Sequence, residues 1–205
     1  MMKTLTSVLA LLFYFVHMSA FAETVCMVGD SVTERGKVWR DRIQYYRQDI
    51  QFVGNYFDGT HWHDGVGGDK TTDIIARIDS ISGCETALLE VGGNDLLSGT
   101  KGSIVSQNIR QIADALAAKG ITVKIATILP LNSTASNATY YNAVINWTNN
   151  NTKDMVSGVY EVVDTWHSFY VLGGGTPQGA DLYDDAVHPS QLGYYVLGYY
   201  AAPRI

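Results

Sequence analysis

Two kinds of apolar spacing alternate along the chain. Cys26 to Val28 form an apolar run that breaks at Gly29-Asp30-Ser31, after which Val38, Trp39, Ile43 and Tyr46 recur at helical spacing among charges. That reads as a strand, a tight turn and a helix spanning Thr33 to Asp49. Ile50 to Tyr56, β-branched and aromatic, predicts a second strand, followed by a glycine-rich loop from His61 to Asp73 and a helix carrying Ile74, Ile75, Ile78 and Ile81. The near-continuous apolar run from Thr86, broken at Gly92-Gly93 before Asn94-Asp95, predicts a buried parallel strand with its loop. A helix follows over Ile104 to Lys119, stopped by Gly120, and then a fourth strand over Ile121 to Leu129, ended by Pro130. A polar helix over Tyr140 to Met155, a fifth strand over Val159 to Val163, a glycine-rich loop from Gly173 to Gly179 and a last helix from about Ser190 complete the chain.

Strand and helix thus alternate five times. Such alternation predicts an α/β domain whose parallel sheet carries helices on both faces. Right-handed crossovers leave few topologies, and the flavodoxin-like order 2-1-3-4-5 is the expected one. Ligands of such sheets bind at the carboxyl edge, where the strand-to-helix loops gather.

Composition narrows the partners. The chain has 205 residues, 46% hydrophobic and 17% charged, which suits one globular domain with a sizeable core. A net charge of −6 with scattered Lys and Arg argues against nucleic acid or an anionic membrane surface. Residues 1–22 carry Lys3, the apolar run Val8 to Val16 and the small-x-small triplet Ala20-Phe21-Ala22, which reads as a secretory signal peptide. The expectation is therefore a secreted or periplasmic monomer, residues 23–205, without a stable membrane insertion.

Cys26 and Cys84 are the two cysteines. In an exported protein an even pair invites a disulfide, and these two fall on or beside neighbouring strands, although buried free thiols are the alternative. Asn132, Asn137, Asn146 and Asn150 lie in glycosylation sequons, which marks Asn132 to Thr152 as a solvated stretch.

The chemistry sits in the loops at the predicted carboxyl edge. Ser31, in the turn after the first strand, is a candidate nucleophile, though Gly-Asp-Ser is also ordinary turn chemistry. A serine hydroxyl needs a base to take its proton. Among His61, His63, His167 and His188, the last stands three residues after Asp185, a spacing that lets an acid orient the imidazole. Asp95, Asp164 and Asp184 rank below Asp185 as acids. An oxyanion also needs donors, and Asn94 offers a side-chain amide while the loop after the second strand offers backbone N–H groups, Gly68 or its neighbour Gly67. His63, Trp62 and Tyr183 are candidate substrate contacts, and alternating histidines without a further ligand argue against a metal site.

Together these blocks resemble the SGNH (GDSL-type) serine hydrolases. The resemblance rests on Gly29-Asp30-Ser31, Asp64-Gly65-Val66-Gly67-Gly68, Gly92-Gly93-Asn94-Asp95 and Asp185-Ala186-Val187-His188-Pro189. It implies a three-layer α/β/α fold, no cofactor or metal, Ser31 as nucleophile, Asp185 and His188 as acid and base, and Ser31 N–H, Gly68 and Asn94 as oxyanion donors. The second block looks most like that of acetyl xylan esterases, from which it departs at Asp64 and at Asp69-Lys70. The reading is a secreted esterase that deacetylates a carbohydrate. A lipase, lysophospholipase or thioesterase of the same fold is the alternative within the class, and a catalytically silent glycan-binding protein is the alternative outside it. No GxSxG elbow, phosphate-binding loop or GxGxxG turn is present.

Overall fold

A computed structural model of the protein describes residues 22–172 and 180–205. The stretch read from sequence as a signal peptide, as far as residue 21, and the glycine-rich segment Gly173 to Gly179 lie outside them. Chain order is β1 (Glu23–Gly29), α1 (Ser31–Glu34), α2 (Lys37–Tyr46), β2 (Ile50–Val53), β3 (Tyr56–Phe57), β4 (Trp62–Gly65), α3 (Thr71–Ala76), β5 (Thr86–Glu90), α4 (Gly93–Leu97) and α5 (Gly102–Ala118). Then come β6 (Thr122–Ala126), α6 (Ala138–Val156), β7 (Glu161–Val163), α7 (Thr165–Leu172) and α8 (Gln191–Ala201).

The five expected strands pair in parallel as β2-β1-β5-β6-β7, which is the order 2-1-3-4-5. Both faces of the sheet are covered, so its strands alternate between two cores rather than between core and water. Cys26 and Val28 of β1 join Ile74 of α3, Val105 and Ile112 of α5 and Ile145 of α6 on one side. Val25 and Met27 join Trp39 and Ile43 of α2, Phe169 of α7 and Leu197 of α8 on the other.

Two departures from the sequence reading shape the site. The loop His61 to Asp73 opens with a strand, β4, which pairs antiparallel with β3 and parallel with the end of β1, Val28 opposite Asp64 and Gly29 opposite Gly65. The reason is an edge left open: β2 runs beside β1 only as far as Cys26 opposite Val53, so the last residues of β1 need another partner for their backbone groups. The helix expected over Thr33 to Asp49 is broken at Gly36, where the buried Arg40 turns back to donate to the carbonyls of Thr33 and Glu34 at the end of α1.

The segment Asn132 to Thr152 is also not simply solvated. Asn132, Asn142, Thr148, Asn149 and Thr152 are buried. Asn149 bonds both N–H and C=O of Ile128, at 2.9 Å each, and Asn142 does the same for Leu131 at 2.7 and 3.0 Å. These side-chain amides pair the backbone of the loop after β6, which has no ladder of its own.

Cys26 and Cys84 are joined by a disulfide with their Cα atoms 5.6 Å apart, closing a loop of 58 residues in sequence. Replacing both with alanine is expected to lower unfolding stability by about 2–4 kcal/mol. Urea midpoints of the oxidised wild type and the double variant measure it, and equal midpoints would leave the bridge without a stabilising role.

Candidate active site

The nucleophile turn depends on close backbone approach. A Cβ on Gly29 would stand 2.1 Å from the carbonyl oxygen of Glu90, so only glycine lets β1 end against β5 at this point. Asp30 then caps α1, its Oδ1 accepting from Val32 N–H at 2.9 Å. Ser31 becomes the first helical residue, a position whose N–H has no intrahelical acceptor.

His188 reaches this serine from the other end of the chain. Its Nε2 lies 2.9 Å from Ser31 Oγ, and its Nδ1 lies 2.7 Å from Asp185 Oδ2. The tautomer with its proton on Nδ1 donates to Asp185 and leaves the Nε2 lone pair to accept from the serine hydroxyl. The other Asp185 oxygen accepts from the backbone N–H groups of Val187 and His188, at 2.7 Å each. Burial works to raise the Asp185 pKa, but those backbone bonds and the imidazole outweigh it and bring the group down to about 2.

The loop that carries the acid and base is held at both ends. Ser190 N–H donates to Leu182 O at 2.9 Å, Asp184 N–H donates to His188 O at 3.0 Å, and the Tyr183 hydroxyl donates to Pro130 O. Asn132 clamps its middle: its N–H donates to Ala186 O at 3.0 Å and its Nδ2 to Asp185 O at 3.2 Å. Read from sequence as a surface sequon, Asn132 is thus the residue that positions the acid. No local signal announces this, because its partners lie more than 50 positions away.

Donors converge on the same side of Ser31. Gly67, Gly68 and Asn94 line one cleft with Ser31, Glu34, Arg35, Leu97, Val187 and His188, about 290 Å³ in volume. Gly68 has a φ of +85°, which suits glycine, and lines the cleft beside Ser31. Among the described residues neither Gly67 N–H nor Gly68 N–H is engaged by a backbone acceptor. Asn94 Nδ2 donates to Asp69 O at 3.0 Å and to Asp30 Oδ2 at 3.2 Å. Arg77 steadies the surrounding loop, donating to Asp69 Oδ2 and Asp64 O at 2.8 Å each.

The three expected substrate contacts are placed elsewhere. His63 is buried, its Nδ1 accepting from Gly65 N–H at 3.1 Å, and burial together with Arg40 lowers its pKa to about 4. It is a neutral core histidine. Tyr183 is buried against Phe169 with its hydroxyl spent on Pro130. Trp62 is exposed but stacks on Phe57 in the β3/β4 hairpin, outside the residues that line the cleft. His61 pairs with Asp41, and Asp64 accepts from Asn55, so both serve the hairpin. Of the rival acids, Asp95 accepts from Thr71 N–H and Oγ1, and Asp164 pairs with Lys153.

A nucleophilic hydroxyl, a base on an oriented imidazole and a cradle of N–H donors constitute the machinery of acyl transfer. Comparison with known proteins agrees with that chemistry. The model of the GDSL-like lipase/acylhydrolase family matches residues 27–196. Among solved structures, a member of the lipolytic protein G-D-S-L family from Veillonella parvula DSM 2008 is similar with a TM-score of 0.72 at 19% identity, over 89% of this chain and 97% of that one. An acetyl xylan esterase is similar with a TM-score of 0.71 at 17% identity, over 89% of this chain and 99% of that one. A carbohydrate esterase family 3 protein from Talaromyces cellulolyticus has a TM-score of 0.64 at 17% identity, over 89% and 95%. No curated protein matches this chain in sequence. With the family model spanning both the Ser31 turn and the His188 loop, the chain belongs to the GDSL-like lipase/acylhydrolase family and is a carboxylic ester hydrolase.

Proposed function

We propose that this hydrolase removes acetyl groups from a carbohydrate after export, with Ser31 as nucleophile. Ser31 Oγ attacks the ester carbonyl while its proton passes to His188 Nε2, and Asp185 stabilises the resulting imidazolium. Ser31 N–H, Gly68 N–H and the Asn94 amide, which line the cleft beside Ser31, are the donors to the developing oxyanion, the Asn94 amide leaving its present acceptors to do so. The alcohol leaves with the proton from His188, and a water deprotonated by the same imidazole hydrolyses the acyl-enzyme.

The observation that carries the acetyl reading is the space beside the nucleophile. A small pocket beside Ser31 and Asn94, lined by Leu97, Ile128, Leu131, Ile145 and Val187 together with the acids Asp30 and Glu90, has a cavity volume of about 20 Å³. A single water needs roughly 10–15 Å³, so such a pocket suits a methyl-sized acyl group better than a longer chain. The open cleft on the other side has a polar rim of Glu34, Arg35 and Asn94, which suits a hydroxylated alcohol. Export is supported by the leader-like residues 1–22 and by the Cys26–Cys84 disulfide, a bond of oxidising compartments. Among the described residues no helix is long and apolar enough to cross a membrane.

Chain length tests the reading. Rates on p-nitrophenyl acetate are expected to exceed those on the octanoate at least about tenfold, because each unaccommodated methylene costs on the order of 1 kcal/mol. Leu97→Ala, which opens the pocket wall, is expected to raise the butyrate-to-acetate ratio about tenfold. An octanoate rate equal to or above the acetate rate would favour a lipase instead. Ser31-dependent acetate release from a panel of acetylated glycans identifies the natural alcohol.

A further inference from the structure

Beneath the nucleophile lies an acid that the triad does not use. Glu90, the last residue of β5, is buried, and among the described residues its Oε2 meets no hydrogen-bond partner. Asp30, also buried, lines the same closed pocket, with Ser31 and Asn94 at its mouth. Among the described residues neither carboxyl has a cation at bonding distance. The titratable groups beside them are Asp69 from the loop before α3, Asp95 from α4 and Tyr194 from α8, and the last is in turn influenced by Arg35 and Arg40.

Two buried carboxyls lining one small pocket oppose each other's ionisation, which favours a state in which one of them keeps its proton. Asp30 accepts from Val32 N–H and from Asn94 Nδ2, whereas Glu90 Oε2 accepts from nothing, so the retained proton belongs on Glu90. We propose that Glu90 is a positioning residue of the oxyanion hole: as a neutral acid it keeps its proton and donates a hydrogen bond toward Asp30, holds the pair at one negative charge, and so lets the Asn94 amide turn from Asp30 to the oxyanion. Burial first raises both pKa values, followed for Asp30 by the charges of Asp69 and Asp95, which bring it to about 7, and for Glu90 by the charge of Asp30. A second charge in the pocket would grip the Asn94 N–H more tightly and repel the oxyanion beside it.

The proposal rests on Asn94 acting in ester hydrolysis, and the experiment separates the two. Turnover of p-nitrophenyl acetate is measured across the neutral and alkaline range, with Ser31→Ala as background, for wild type, Glu90→Gln and Glu90→Leu, and for Glu90→Leu combined with Asp30→Asn. Glutamine keeps a donor that does not titrate, so Glu90→Gln is expected to hold kcat within about threefold of wild type and to extend its plateau to higher pH. Leucine removes the donor and leaves Asp30 fully charged, so Glu90→Leu is expected to lower kcat about tenfold or more with KM little changed. In the Asp30→Asn background, where there is no charge to share, the Glu90→Leu effect is expected to shrink to about twofold, which a packing defect would not do. A Glu90→Gln profile superimposable on wild type, or equal Glu90→Leu effects in both backgrounds, overturns the proposal. Absence of Ser31-dependent turnover in the wild type would instead overturn the esterase mechanism. Glu90→Gln is near-isosteric, so its pH profile remains decisive even if Glu90→Leu does not fold.

Discussion

Ser31→Ala is expected to lower kcat for ester hydrolysis by about four to six orders of magnitude, on the scale of lesions that remove a member of a catalytic triad. His188→Ala should fall in the same range, and combining the two should cost little more than either alone, since both act in a single proton transfer. The geometry supports this expectation: one imidazole spans 2.9 Å to Ser31 Oγ and 2.7 Å to Asp185 Oδ2. Because Asp185 stays ionised down to about pH 2, an acid limb in the ordinary working range does not belong to it. Single-turnover kinetics on p-nitrophenyl acetate read the losses directly. A reduction of less than tenfold in either variant would assign the nucleophile or the base to another residue.

The second large effect is on stability and originates beside the same helix. Arg40 is fully buried, and its Nε and Nη2 donate to Asp58 Oδ2 at 3.0 and 2.8 Å. Its remaining donors meet the carbonyls of Thr33 and Glu34, so the guanidinium ties α1 to the β3/β4 hairpin. Asp58→Ala would leave that cation buried and uncompensated, at an expected cost of about 3–5 kcal/mol. For a domain of this size the loss corresponds to a Tm lower by about 10 °C. Burial opposes ionisation of Asp58, but the N–H groups of His61 and Thr60 and then Arg40 lower its pKa. A lowered folded pKa contributes stability above the unfolded value near 3.9, and that contribution is lost as pH falls below it. Calorimetry at neutral and acidic pH checks both points. A Tm for Asp58→Ala equal to that of wild type at neutral pH would show that the pair contributes nothing net.

Trp62, His63 and Tyr183 show why substrate contacts were not legible. All three sit next to a family block, and from spacing alone an aromatic or histidine at a sheet edge suits a binding role. Which way each side chain points depends on β4 filling the free edge of β1 and on Tyr183 finding Pro130 O, neither of which leaves a periodic trace in a segment of four residues. Asn132, Arg40, Arg77 and Glu90 were missed for a related reason. The role of such a polar residue is set by what surrounds it, and those surroundings come from other elements.

What the sequence by itself determined was the alternation of strands and helices, their parallel order, and the residue types of the chemistry at Ser31, Asn94, Asp185 and His188. Those follow from local rules: apolar period, glycine breaks, and the spacing of an acid three residues before a histidine. The tertiary structure alone decided that Ser31 and His188, 157 positions apart, meet within hydrogen-bond distance. It also decided that the pocket beside them has a volume of about 20 Å³, and that the buried Glu90, whose Oε2 meets no hydrogen-bond partner among the described residues, lines it with Ser31 and Asn94. Periodicity reports which face of an element is buried. Distances, cavity walls and the ionisation of buried groups depend on what the other elements bring to that face.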